Sequence, residues 1–314
     1  MHPFAFVFPG QGSQSVGMLD GWGDHPAVRA TLDEASRALG EDIGRLIREG
    51  PKEALELTTN TQPVMLTAGV ACYRAWLAET HAAPAVVAGH SLGEYTALVV
   101  AGSLSLAEAL PLVRFRAQAM QEAMPVGAGA MAAILGLDAA AVIAGCAQAA
   151  AASGETVQAA NFNDPKQTVI AGTKAGVDKA CEILKAAGAK RTLLLSVSAP
   201  FHSKLMKPAA ERLRDRLATT AIDAPFIPVI DNIDVRSETE PSAIRDALYR
   251  QAFGAVRWAE VIEAIRGRSV RHIIECGPGK VLSGMVRRIV PDAVSAAVFD
   301  PASLNDARAV LAAP

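Results

Sequence analysis

Aromatic residues are scarce in this chain, 5% of 314 residues, while apolar residues as a group reach 51%. A core must therefore be built mainly from Ala, Val, Leu and Ile, which suits buried parallel strands covered by helices. Charge of one sign is also lacking. Thirty Lys and Arg against 32 Asp and Glu leave a net charge of −2, and no Lys/Arg-rich run stands out. The sequence thus makes no electrostatic case for nucleic acid or an anionic membrane as partner. Cysteine is limited to Cys72, Cys146, Cys181 and Cys276, with no Cys-x-x-Cys and no histidine at ligand spacing. No metal site is expected, and a reducing, cytoplasmic setting fits best. Long hydrophobic runs are missing too. The opening Met1-His2-Pro3-Phe4-Ala5-Phe6-Val7-Phe8-Pro9 has neither the basic start nor the apolar stretch of a secretory signal, and nothing reaches transmembrane length.

What is present alternates strand and helix patterns. Phe4 to Phe8 reads as a strand ended by Pro9-Gly10. Helices are expected over 27–39, 43–48 and 62–78, the last with Pro63 tolerable only near its start. A strand at 85–88, a helix at 94–101 and a helix at 106–124 follow. This βα rhythm predicts a large α/β-hydrolase-like domain with a parallel sheet. Between Pro125 and Pro200 the rhythm changes to strand 131–137, helix 139–152, strands 157–161 and 168–171, helix 177–187 and strand 191–197. That βαββαβ order is the ferredoxin-like unit. The expected organisation is a large catalytic domain, 1–126 and 198–314, with a small inserted domain at 127–197. The larger pattern resumes with helix 203–218, strand 227–233, helices 243–253 and 259–266, strand 272–276, helix 280–289, strand 293–299 and a terminal helix.

The sharpest local signal is Gly89-His90-Ser91-Leu92-Gly93, set between the strand at 85–88 and the helix at 94–101. A serine between two glycines at a strand-to-helix turn is the pattern of a nucleophile elbow, where the glycines permit strained backbone and close packing. The turn lifts the hydroxyl out of the sheet over a helix N-terminus, where backbone N–H groups can hold an oxyanion. Acyl chemistry at Ser91 is the expectation.

A serine hydroxyl needs a base. His2, His25 and His81 sit in polar or terminal stretches, His90 directly precedes the serine, and His272 opens a strand. His202, in Ser198-Ala199-Pro200-Phe201-His202-Ser203, is different: it is placed at the first turn of a helix, whose N-terminus favours the neutral ring. On the 106–124 helix, Leu112, Arg116, Ala119, Met120 and Ala123 share one face at i, i+3, i+4 spacing, an apolar stripe interrupted by one cation. Arg114 shares its face with Gln118 and Gln121 and reads as solvated. A buried guanidinium requires a partner, either an internal Asp or Glu or a substrate carboxylate matched to its planar fork. The turn Pro9-Gly10-Gln11-Gly12-Ser13-Gln14 fails the dinucleotide pattern at Ser15. It is instead a candidate to approach the elbow and lend a backbone N–H. Gly277-Pro278-Gly279-Lys280 fails the phosphate-loop pattern and reads as a tight strand-to-helix turn.

Taken in order, several motifs resemble the malonyl-CoA:acyl carrier protein transacylase family of bacterial fatty-acid synthesis. They are Phe8-Pro9-Gly10-Gln11-Gly12-Ser13-Gln14, Thr61-Gln62-Pro63, Gly89 to Glu94, Arg116, Met120 to Ala123 and Asn161-Phe162-Asn163. Ala199 to Ser203, Gln251, Trp258 and Glu275 to Leu282 complete the series. The resemblance implies acylation of Ser91 with His202 as base, and Arg116 holding the free carboxylate of malonate. It also implies backbone N–H groups of Gln11 and Leu92 as oxyanion hole, and the Gln251 backbone carbonyl as the group orienting His202. Met120, Phe201 and Asn161 would line the pocket, Phe201 narrowing it against a methyl branch. No bound cofactor is implied: malonyl-CoA is the substrate, and phosphopantetheine arrives on the acyl carrier protein. A monomer is expected. One departure stands out. Where the family reads Asn-Pro-Val after the glutamine, this chain reads Phe253-Gly254-Ala255-Val256-Arg257-Trp258, and loss of the proline is expected to loosen the turn that places the Gln251 carbonyl. Competing readings are a trans-acting transacylase of a polyketide synthase or malonate decarboxylase, a serine thioesterase or esterase, and a non-catalytic carrier-docking module.

Overall fold

Period-two alternation decides how the first strand is used. Phe4, Phe6 and Phe8 of β1 (Phe4–Phe8) bury on one side of a sheet with Trp76, while Ala5 and Val7 bury on the other with Trp258 and Ile262. Both faces are covered, as an all-parallel sheet requires. In the computed structural model, which describes residues 2–125 and 127–313, β1 is the centre of five parallel strands. Its neighbours are β2 (Val86–Gly89) and β8 (His272–Cys276), with β7 (Val229–Ile230) and β9 (Val294–Val298) outside them, in the order β7-β2-β1-β8-β9. Met1, Val126 and Pro314, which fall in the expected domain ranges, lie outside the described residues.

A second sheet is formed by β3 (Gly129–Leu135), β4 (Val157–Asp164), β5 (Gln167–Thr173) and β6 (Arg191–Leu194), antiparallel in the order β4-β5-β3-β6. The helices Ala139–Ser153 and Lys174–Ala186 cover one face through Ile134, Val142, Ile170 and Leu184. The other face carries Met131, Ala133, Val169 and Ala171 and packs against Phe201 and Val197. This small-residue face forms one wall of a cleft, and the C-terminal ends of β1 and β2 form its floor. Ligands of parallel sheets bind at that end of the strands. Asp164, buried in β4, pairs with Arg288 at 2.7 Å and ties the two sheets' surroundings together.

Most expected elements appear with shifted ends, and a few differ for local reasons. The expected strand 227–233 is paired only at Val229–Ile230. Asp231 breaks it: its carboxylate accepts the N–H groups of Ile233, Asp234 and Arg236, folding the chain into a turn. The helix expected from residue 62 starts at Thr58, so Pro63 lies in its second turn and denies one hydrogen bond. The Thr61 hydroxyl, bonded to the Leu57 carbonyl at 3.0 Å, secures that first turn. The helix expected from 203 begins at Lys207, behind a short 3₁₀ turn over Lys204–Met206. Arg114 is not solvated: it forms a two-pronged bond to Glu41 at 2.8 and 2.9 Å, with its side chain 18% exposed.

The elbow glycines are required by contact distance. A Cβ on Gly89 would lie 1.8 Å from the Gly93 carbonyl carbon, and one on Gly93 would lie 2.1 Å from the Phe8 oxygen. Both obstacles are backbone and cannot rotate away. Gly93→Ala is expected to lower stability by about 3 kcal/mol, the upper end for overpacking, read as a shifted midpoint in urea. An unchanged midpoint would show that the elbow has room.

Candidate active site

Ser91 follows β2 and precedes the helix Gly93–Val100, with φ of +52°, in the left-handed region that a residue with a side chain enters only under constraint. The constraint is visible. Ser91 N–H donates to the side-chain oxygen of Asn232 at 2.7 Å, and Asn232 Nδ2 donates to the Gly89 carbonyl at 2.8 Å. Glu94 accepts the Asn232 backbone N–H at 2.9 Å and the Gln251 side-chain amide at 3.0 Å; that same amide donates to the Ser91 carbonyl at 3.0 Å. Glu94 is itself buried, and burial, with Asp231 nearby, pushes its carboxyl up to about 8.

His202 reaches the serine from the opposite side. Its Nε2 lies 2.6 Å from Ser91 Oγ, and its Nδ1 lies 2.9 Å from the Gln251 backbone oxygen. A carbonyl only accepts, so Nδ1 carries the proton and Nε2 is free to accept the serine's. The residue has φ of +60° and is fixed between buried Ala199 and Ser203, whose hydroxyl donates to the Pro200 carbonyl at 2.7 Å. Burial first, then the neighbouring Arg116 charge, lowers its pKa from 6.5 to about 3. The neutral ring thus comes from burial and Arg116, and not from the expected helix N-terminus, which starts five residues later at Lys207.

The turn carrying Gln251 does not show the expected loosening. Val256 N–H donates to the Ala160 carbonyl and Phe162 N–H to the Val256 carbonyl, both at 2.9 Å, so β4 grips the segment. Gly254 fits within it only because it lacks a side chain: a Cβ would meet Ile233 at 2.3 Å.

Arg116 lies in the helix Leu106–Glu122 and is 2% exposed. Its guanidinium donates to Gln62 Oε1 at 2.9 Å, Gln251 Oε1 at 3.0 Å and Ser91 Oγ at 3.2 Å, and lies 5.4 Å from the Tyr95 ring centre. Its Nε donates to nothing among the described residues. Every acceptor is neutral. The nearest carboxylate in the network, Glu94, is held one amide away by Gln251. Burial lowers the pKa of the guanidinium from its ordinary value, while Tyr95 and Glu94 raise it.

Gln11, Leu92, Met120, Asn161 and Phe201 line the same cleft as Ser91, Arg116 and His202. The first turn does approach the elbow: a Cβ on Gly10 would sit 2.6 Å from the His90 carbonyl oxygen. Neither Gln11 N–H nor Leu92 N–H makes a hydrogen bond among the described residues. Gln251 lies behind the cleft wall. Asn232, Glu94 and Gln62 are not legible as site residues in the sequence, since a buried amide or carboxylate beneath a turn leaves no periodic signal. His90 is taken up structurally, bonded to Asn163 at 2.9 Å and set edge-on to Trp258.

Two outcomes follow. Asn232→Ala leaves the Ser91 N–H without its acceptor, a loss of about 1–3 kcal/mol for a buried donor. Acylation of Ser91, measured by quenched flow, should slow about 10- to 100-fold; an unaltered rate would deny Asn232 a positioning role. For His202, the unfolded chain takes up a proton near 6.5 but the folded one only near 3. Unfolded protein therefore binds more protons between those values, and this group's contribution to stability falls as pH drops through that window. The acylation rate at low substrate should stay level through pH 6.5, Glu94 titrating well above it; an acid limb centred at 6.5 would contradict the buried environment.

The chain is similar to known proteins over nearly its whole length. Residues 5–303 match the acyl transferase domain family. The malonyl CoA-acyl carrier protein transacylase of Escherichia coli strain K12 is 51% identical over 305 residues, covering 97% of this chain and 98% of that protein. The solved acyl-carrier-protein S-malonyltransferase of Burkholderia pseudomallei is 63% identical with a TM-score of 0.95, covering 97% and 99% of the two chains. A malonyl-transacylase solved in complex with a type II polyketide acyl-carrier protein is 47% identical with a TM-score of 0.95, covering 97% and 98%. The chain belongs to the acyl transferase family, alongside the malonyl-CoA–acyl carrier protein transacylases.

Proposed function

We propose that this enzyme transfers a malonyl group from malonyl-CoA to the phosphopantetheine thiol of an acyl carrier protein through a malonyl ester on Ser91. The observation that carries the reading is Arg116: a buried guanidinium beside Ser91 Oγ with no carboxylate among its hydrogen-bond partners in the described residues. Malonate supplies one. The fork and the carboxylate are planar and form two parallel charge-assisted bonds.

The chemistry runs in two halves. Ser91 Oγ attacks the thioester carbon as His202 Nε2 takes its proton. The oxygen anion of the tetrahedral intermediate is held by the N–H groups of Gln11 and Leu92. The intermediate collapses, the C–S bond breaks, and the CoA sulfur leaves with the proton from His202. The carrier thiol then enters, gives its proton to His202 and attacks the ester; the C–O bond breaks and Ser91 recovers the proton. The Gln251 carbonyl holds the His202 ring and stabilises the imidazolium that forms in each half. A hydrolase reading has less support, because among the described residues His202 Nδ1 meets the Gln251 carbonyl and no carboxylate, and hydrolysis has no use for Arg116.

Met120, Phe201 and Asn161 border the space for the acyl group, and Phe201 beside the base limits it to an unbranched malonyl. We take residues 127–197 as an inserted domain and 1–126 with 198–314 as the catalytic one; the separate antiparallel sheet supports this division. A cytoplasmic monomer is also our reading. No helix among the described residues is long and apolar enough to cross a membrane, and free Cys72, Cys146, Cys181 and Cys276 suit a reducing compartment.

Incubation with malonyl-CoA should add one malonyl group to the intact mass, and Ser91→Ala should remove the adduct entirely. Arg116→Ala should cut acylation by malonyl-CoA at least about 100-fold, the loss of a buried charged bond, while acetyl-CoA gains relative to it. Labelling of Ser91→Ala would overturn the nucleophile, and unchanged malonyl preference in Arg116→Ala would overturn the carboxylate clamp.

A further inference from the structure

Glu94 lies in the first turn of the helix Gly93–Val100 behind Ser91 and is 2% exposed. One of its oxygens accepts both the Asn232 backbone N–H at 2.9 Å and the Gln251 side-chain amide at 3.0 Å. The other oxygen bonds nothing among the described residues. Gln251, held in this way, turns its own side-chain oxygen to Arg116 at 3.0 Å. A single amide therefore joins a buried carboxyl to the buried guanidinium. Two N–H donors on one oxygen and none on the other is how a neutral acid is held. The bonded oxygen acts as the carbonyl, and the bare one can carry the proton.

The helix packs against β1, β2, β7 and the helices Thr58–Thr80 and Leu106–Glu122. The three strands carry no titratable side chain. On Thr58–Thr80, Arg74 and Glu79 are engaged by Glu34 and His25. On Leu106–Glu122, Arg114 is engaged by Glu41, which leaves Arg116 as the cation acting on Glu94. Tyr95, the next residue, keeps its proton up to about 12 because it is buried. Asp231, in the turn after β7, repels negative charge on Glu94. A small cavity borders Glu94, Asp231 and half-buried Glu238 together, and it offers a proton a route from the surface.

We propose that Glu94 sets how strictly the site demands a carboxylate on the acyl group. As a neutral acid it leaves the Arg116 charge to the substrate; as an anion it opposes the substrate's carboxylate across Gln251. The proposal rests on the function proposed above and adds the residue that tunes its selectivity. The physical basis is reciprocity. A carboxylate held by Arg116 makes ionisation of Glu94 harder, so ionisation of Glu94 weakens the hold on that carboxylate by the same factor. With kcat/KM read as stabilisation relative to the free enzyme, that factor enters the acylation step. Malonyl-CoA and acetyl-CoA share Ser91, His202 and the CoA leaving group, so their ratio isolates what the carboxylate senses.

The test is the ratio of Ser91 labelling rates with malonyl-CoA and acetyl-CoA at low substrate. It is followed by quenched flow and intact mass from about pH 6.5 to about pH 9.5, on the wild type and on Glu94→Gln. The glutamine keeps an oxygen for the same two N–H donors and cannot ionise; its melting temperature verifies the fold. In the wild type the ratio is expected to fall at least about fivefold, the low end for coupled sites. The fall should centre near 8, where burial and then Asp231 place the Glu94 carboxyl. In Glu94→Gln the ratio should stay level at the wild type's low-pH value. A wild-type ratio that is constant with pH overturns the proposal without need of the variant. A fall that persists in Glu94→Gln also overturns it and assigns the titration to Arg116 or another group. Wild-type protein that takes no malonyl label at any pH would instead remove the proposed function, leaving Glu94 nothing to select.

Discussion

The structure depends on a cation buried to 2% exposure in the wall of the cleft. Taking a guanidinium out of water costs several kcal/mol even after relaxation, and Arg116 recovers only part of that from Gln62, Gln251, Ser91 and the Tyr95 ring. Its Nε goes without a partner among the described residues. Folding thus leaves an electrostatic demand open at the point where Ser91 presents its hydroxyl. Under the proposed function the substrate's own carboxylate meets that demand, so selectivity and positioning arise from one interaction. An acetyl group would leave the guanidinium as poorly matched as in the free enzyme.

The surrounding polar groups explain how the demand stays open. Gln251 stands between Arg116 and Glu94, accepting from one and donating to the other, so the internal carboxylate is near enough to raise the guanidinium's pKa yet not bonded to it. The same side chain and Asn232 clamp the carbonyl and the N–H of Ser91, whose backbone would otherwise leave the left-handed region. Gln251's carbonyl also holds His202. One residue therefore contacts the nucleophile, the base and the cation, and the segment after it is held to β4 by two backbone bonds at Val256.

Much of this was legible in the sequence because it is local or periodic. The elbow announces itself in five residues, Arg116 interrupts an apolar helical stripe, and the βαββαβ order gives the second sheet. Other features depend on residues far apart in the chain. Nothing near Asn232 or Glu94 indicates that they meet, since 138 positions separate them. The strand expected at 227–233 failed because Asp231 captures three N–H groups, a turn that apolar content alone does not reveal. For His202 the sequence points to a helix N-terminus as the source of the neutral ring, whereas burial beside Arg116 takes that place. Arg114 looked solvated because its partner Glu41 lies 73 residues away.

The central claim is that Arg116 is kept free of an internal carboxylate so that a substrate carboxylate can take the place. Gln62→Glu tests it most directly, because the change is nearly isosteric and sets a carboxylate where an amide oxygen now accepts from Arg116 at 2.9 Å. The measurement is paired: melting temperature, and the rate of Ser91 labelling by malonyl-CoA. The account predicts a higher melting temperature, since a buried cation gains a counter-charge, together with labelling slowed at least about 100-fold, equivalent to about 2.7 kcal/mol. Labelling at the wild-type rate in a folded variant would contradict it.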